Sequence, residues 1–115
     1  MLFRSAIENP FPPSGNAVLR MLKQYGGLAI SATDPEILAA QRRLGEAGLF
    51  VQPASALTVA VVKQLVDSGK IRSGAKVVCV LSGAGLKYTA ALEMQTLQTH
   101  NCRLEEATDF IPGIF

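Results

Sequence analysis

Ser82, Gly83, Gly85 and Lys87 stand together in VVCVLSGAGLK, residues 77–87, and their order suggests chemistry. An apolar, β-branched run ends at a hydroxyl, and two glycines and a lysine follow at once. The backbone N–H groups of a glycine-rich turn at a strand end bind anions well, above all with a helix start behind them. The pattern fits that reading incompletely. GxGxxG needs glycine at position 88, where the chain has Tyr88, and the Walker pattern needs a longer loop before its lysine. The rival is a tight turn leading from a buried strand into a helix, and the turn's own residues leave both readings open.

Other reactive groups are sparse. Lys23, Lys63, Lys70 and Lys76 sit on polar surfaces, and Lys87 lies in the turn. None is placed as the desolvated, deprotonated amine that a Schiff base needs, so no catalytic residue is assigned. Arg42 and Arg43 read as a solvated helix face and His100 as a solvated side chain. Cys79 lies in the apolar run and reads as a small buried hydrophobe. Cys102 lies in a polar tail, so neither disulfide nor metal spacing is evident.

These groups need elements to position them. The chain has 115 residues, 49% of them hydrophobic, which is enough for one core. Eleven Lys and Arg against nine Asp and Glu leave a net charge of +2, too weak a basis for a nucleic-acid partner. The longest mostly apolar stretch, residues 54–62, is far short of the roughly 20 residues that span a bilayer. The opening MLFRSAIENPFPP has no apolar block of signal-peptide length. The expectation is a reduced, cytoplasmic setting with no membrane partner.

Along the chain, ENPFPPSGN is turn-rich, and Ser14 is placed to cap a helix over 17–25 that ends at Gly26 and Gly27. Val18, Met21, Leu22 and Tyr25 make its apolar face, expected to pack in the core. LAISA, residues 28–32, reads as a strand. Thr33 and Glu36 have the spacing of a capping box, with Pro35 in the first turn, and predict a helix to about residue 47 with Ile37, Leu38, Leu44 and the alanines inward. Residues 49–53 read as a brief extended piece. Pro53 then starts a helix that is small or apolar all round to Val62 and therefore buried on most sides, turning polar at Lys63 and closing at Gly69. KVVCVLS suits the interior of a parallel sheet covered on both faces. Residues 88–100 predict a final helix with Leu92, Met94 and Leu97 partly buried, and Phe110, Ile111, Ile114 and Phe115 form a tail that could dock on a neighbour. The order of elements is that of an α/β protein.

Read together, these segments resemble the C-terminal part of threonine synthase and, more broadly, the pyridoxal-phosphate enzymes of the tryptophan synthase β-subunit fold. ENPFPPSGNAVLRMLKQYGG is similar to that family's Pro-Gly-Asn segment and following helix. AISATDPEILAAQRRLGEAGLFVQPASALTVAVVKQLVDSGKI is similar to its strand, capped helix, Glu-Pro-Ala-Ser-Ala element and buried helix. VVCVLSGAGLK is similar to its closing strand and Thr-Gly-X-Gly-Leu-Lys turn. The resemblance covers roughly residues 5–88. Three positions depart from the pattern: Gln52 stands for the usual glutamate, Ser82 for threonine and Tyr88 for aspartate.

The resemblance implies an α/β fold, a partial three-layer sandwich with a short, mainly parallel sheet flanked by helices, corresponding to the C-terminal portion of the fold type II large domain. Residues 1–90 would form that segment, and 91–115 a helix and tail. It implies that the Ser82 hydroxyl meets the pyridine nitrogen of pyridoxal phosphate, that Gly83 and Gly85 let the backbone pass beside the ring, and that Gln52, Ala54 and Ser55 line the same region. The family's Schiff-base lysine and phosphate loop lie upstream of anything in this chain. The implied function is a segment of an enzyme converting O-phosphohomoserine and water to threonine and phosphate, not catalytic alone; the partners it implies are an N-terminal chain carrying the rest of that enzyme or further copies of this chain. A non-enzymatic module that self-associates and a serine or threonine dehydratase-like lyase are the alternatives.

Overall fold

The structure, a computed structural model, describes residues 7–93, 101–106 and 109. Its packed unit is a pair of helices, α2 (Asp34–Glu46) and α3 (Pro53–Asp67). The α2 start is as expected: the Glu36 carboxylate accepts from both the N–H and the hydroxyl of Thr33 at 2.7 Å, and Pro35 occupies the first turn, where its missing N–H is no loss. The stripe Ile37, Ala40, Gln41 is buried, and Leu44 continues it half-buried. This stripe meets Val51 and Ala56, with Leu57, Val59, Ala60, Val61 and Leu81 packed around them. Gln64 of α3 donates to Ser31 O (3.3 Å) and to the Glu36 carboxylate (3.2 Å), tying the far end of α3 to the start of α2.

Helix α3 spans the expected residues and closes at Gly69, whose φ of 70° only glycine adopts readily. It is less enclosed than its composition suggests. Pro53, Ser55 and Ala56 are buried, whereas residues 57–62 are only half-buried.

Helix α1 (Gly15–Tyr25) forms two residues earlier than expected, with Ser14 at its N-cap position but no side-chain capping bond, and Gly26 ends it in the left-handed conformation at φ 64°. Its apolar face does not enter the core. It buries no residue: Val18, Leu19 and Met21 are more than half exposed, Tyr25 is 73% exposed, and Leu22 alone of the face is half-buried. Amphipathic periodicity specified the helix, and the core that periodicity implied is not supplied by the described residues.

The expected α/β sandwich is contradicted. Among the described residues there is no strand and no sheet; the one β-type pairing is an isolated antiparallel bridge between Val51 and Ala84. Segments 28–32 and 77–81, both read as strands from sequence, make no backbone–backbone hydrogen bond among the described residues. Val78 and Val80 of the supposed interior strand are 90% and 70% exposed. The reason is physical: β-branched composition expresses a fit to a pleated, half-buried surface, and a strand exists only when a ladder partner satisfies its backbone.

After the SGAG turn comes a single 3-10 turn (Gly85–Lys87) and a one-turn helix, α4 (Ala90–Glu93), in which Ala91 is buried and Leu92 half-buried. Met94, Leu97, His100, Phe110, Ile111, Ile114 and Phe115 lie outside the described residues. Cys79 is half-buried, Cys102 is exposed, and both are free thiols. Among the described residues no helix is long and apolar enough to cross a membrane, and no group of three or more His, Cys, Asp and Glu could hold a metal ion.

Candidate functional site

Three hydrogen bonds fix the turn at residues 82–88 onto the segment that opens α3, and a fourth closes the turn on itself. Gln52 N–H donates to Gly83 O and Gly85 N–H to Phe50 O, each at 3.0 Å, framing the Val51–Ala84 bridge. Gly83 N–H donates to the Ser55 hydroxyl at 3.0 Å in a buried position, and Lys87 N–H closes back onto Ala84 O at 3.1 Å. A further bond supports the opposite side of this clasp: the buried Gln41 amide donates to Val51 O at 2.7 Å. α2 thus holds Val51, and Val51 and its neighbours hold the turn.

The two glycines are buried for reasons internal to the chain. A Cβ at Gly83 would fall inside the Gln52 side-chain amide, and one at Gly85 would lie 2.5 Å from the Phe50 ring. Their missing side chains make room for Gln52 and Phe50, so clearance for a ligand ring is not what these two positions demonstrate. Nor does the turn cradle an anion with the amides of Gly83, Gly85 and Lys87, because all three already serve protein acceptors.

Ser82 is different. It is exposed at the start of the turn, and its hydroxyl has no hydrogen-bond partner among the described residues. A hydroxyl so placed can donate one hydrogen bond and accept others, which suits a neutral ring nitrogen. Of the other sequence candidates, Gln52 is half-buried at the N-cap of α3 and touches Gly83, Ala54 is half-buried and offers no polar side-chain atom, and Ser55 is buried with its hydroxyl turned to Gly83. The structure brings Ser82, Gly83, Gln52 and Ser55 into one cluster. It adds two supporting residues that sequence reasoning passed over, Gln41 and Phe50. Gln41 had a visible signal, since it is the one polar residue in the i, i+3, i+4, i+7 stripe of α2 formed with Ile37, Ala40 and Leu44.

A second concavity, about 280 Å³ between α2 and α3, is rimmed by Glu36, Arg43, Lys63 and Asp67. Its carboxylates are engaged within the chain, Asp67 by Lys63 at 2.6 Å and Glu36 by Thr33 and Gln64. Those three hydrogen bonds from Thr33 and Gln64 hold the Glu36 carboxyl below its ordinary pKa.

A model of the pyridoxal-phosphate dependent enzyme family matches residues 4–83. The threonine synthase of Methanosarcina acetivorans is 43% identical over 84 residues, covering 72% of this chain and 21% of that protein. That of Mycobacterium leprae is 39% identical over 84 residues, 72% of this chain and 23% of that protein. That of Bacillus sp. strain ULM1 is 39% identical over 114 residues, 96% of this chain and 32% of that protein. The chain spans between a fifth and a third of the length of these relatives.

Proposed function

The chain belongs to the pyridoxal-phosphate-dependent enzyme family, and on that premise we propose that it is a threonine synthase-like segment supplying the pyridine-ring side of the cofactor site, in the cytoplasm. The complete enzyme would convert O-phosphohomoserine and water to threonine and phosphate. The observation that carries the proposal is the free Ser82 hydroxyl at the start of a turn whose Gly83, Gly85 and Lys87 N–H groups all serve protein acceptors. When bound, pyridoxal phosphate withdraws electrons from the substrate through its pyridine ring.

Ser82 would donate its O–H to the ring nitrogen of the bound cofactor and, being neutral, would not hold that nitrogen protonated as a carboxylate would. The bonds at Gly83 and Gly85 hold the backbone of the turn from which the hydroxyl projects. Gln52, neutral where the family usually has glutamate, adds no charge beside it. The phosphate and the covalent lysine attachment belong to the part of the relatives' length that this chain does not span. The test is a titration with pyridoxal phosphate followed by absorbance, with the chain alone and with the N-terminal remainder of a related threonine synthase. Binding only in the mixture is the expected result. A borohydride-trapped lysine adduct on this chain alone would contradict it.

A second reading is favoured by the exposed α1 face and by Val78 and Val80. Under it, a self-associating structural module covers this apolar surface with further copies. Sedimentation decides between them: a stable oligomer without the remainder supports the module, and a well-folded monomer opposes it.

A further inference from the structure

We infer that Ser55 is the positioning residue for Ser82. Residues 53–62 carry two hydroxyls in an otherwise apolar stretch apart from the chain's own backbone. The Thr58 hydroxyl bonds back to Ser55 O within α3 at 2.8 Å, whereas the Ser55 hydroxyl leaves its helix and accepts the Gly83 N–H. Ser55 is only 3% exposed, so this bond is shielded from competing water.

The Gly83 N–H lies in the peptide plane that also contains the Ser82 Cα, because the peptide unit is rigid. Holding that N–H fixes this peptide plane and the position of the Ser82 Cα; with Leu81 packed against the core on the upstream side, ψ of Ser82 is confined from both sides, and with it the direction in which the Ser82 side chain leaves the backbone. The carbonyl of Gly83 is held separately by Gln52 N–H, so the glycine is gripped at both ends while Ser82 keeps its own hydroxyl free. Ser55 thereby acts on the cofactor through Ser82 and never touches it. The sequence reading grouped it among cofactor contacts; the burial and the bond to Gly83 give it this other role. The inference rests on the reading that Ser82 faces the pyridine ring.

The experiment is residue-resolved NMR on the isotope-labelled chain with Ser55→Ala and Ser55→Thr. In Ser55→Ala the Gly83 amide exchanges about tenfold faster or more, as expected for a lost buried bond, and the Ser82 Cα and Cβ shifts move. Ala40 and Ala56 keep their protection, which a loss of general stability would not allow. Ser55→Thr keeps the hydroxyl and retains the parent values at Gly83 and Ser82. Unchanged Gly83 exchange and Ser82 shifts in a folded Ser55→Ala chain would overturn the inference, as would a Ser55→Thr chain that behaves like Ser55→Ala. Should Ser55→Ala lose the α2–α3 protection, Ser55→Thr decides by the same two signals. Adding 4′-deoxypyridoxine 5′-phosphate and the N-terminal remainder of a related threonine synthase tests the underlying reading separately. If Ser82 ignores the ring in the parent chain, the cofactor reading fails while Gly83 exchange still reports on Ser55.

Discussion

Two regions of this molecule carry equally clear apolar patterns and meet opposite fates. α2, α3 and the segment joining them bury Ile37, Ala40, Val51 and Ala56 together and hold the SGAG turn through buried hydrogen bonds. α1 and the run 77–81 are patterned just as strongly, yet leave Val18, Met21, Tyr25, Val78 and Val80 exposed. The difference teaches where the chain is self-sufficient. The part presenting Ser82 is braced from within, and the other part leaves its apolar side chains exposed among the described residues.

Paired substitutions in the two regions test that contrast. The largest effect is expected at Ile37, which is fully buried: Ile37→Ala should cost about 2–5 kcal/mol in chemical denaturation. Met21→Ala on the exposed α1 face should stay within about 0.5 kcal/mol. Equal costs would mean that α1 is part of the same core. Next, Gly85→Val drives a side chain into the Phe50 ring and should cost about 1–3 kcal/mol, measured the same way. Gln41→Ala leaves the buried Val51 carbonyl without that donor and should cost a similar 1–3 kcal/mol or so, with faster amide exchange at Gly85 as its local signature.

The smallest effect is electrostatic. The Glu36 pKa is depressed in the folded chain by the Thr33 N–H, the Thr33 hydroxyl and Gln64. Its contribution is therefore present above the ordinary carboxylate pKa and is lost as pH falls through the lower, folded value. Glu36→Gln should flatten the acid side of the stability profile slightly, and an unchanged profile would show that this carboxylate does not couple to folding.

The helices were legible because their signals are local. The Thr33–Glu36 box, Pro35 and Pro53 at first turns, and Gly26 and Gly69 at ends all act within one turn of the residues they specify. The sheet was misread because strand formation is not local: 28–32 and 77–81 have the right composition and no ladder partner among the described residues. At the turn, the residue types SGAG announced a special backbone, but not that Gln52 and Phe50 fill the glycine clearances. That fact depends on two segments about 30 residues apart meeting in space. Gln41 was passed over because the inward stripe was read for its apolar members, although its position among them already marked it for a buried polar role.

Residue-resolved amide hydrogen exchange on the chain alone reads both the internally braced turn and the exposed apolar run beside it. Protection is expected at Ala40, Ala56, Gly83 and Gly85, with rapid exchange at Val78 and Val80. Rapid exchange at Gly83 and Gly85 while α2 and α3 stay protected, or strong protection at Val78 and Val80 in a monomer, would contradict it.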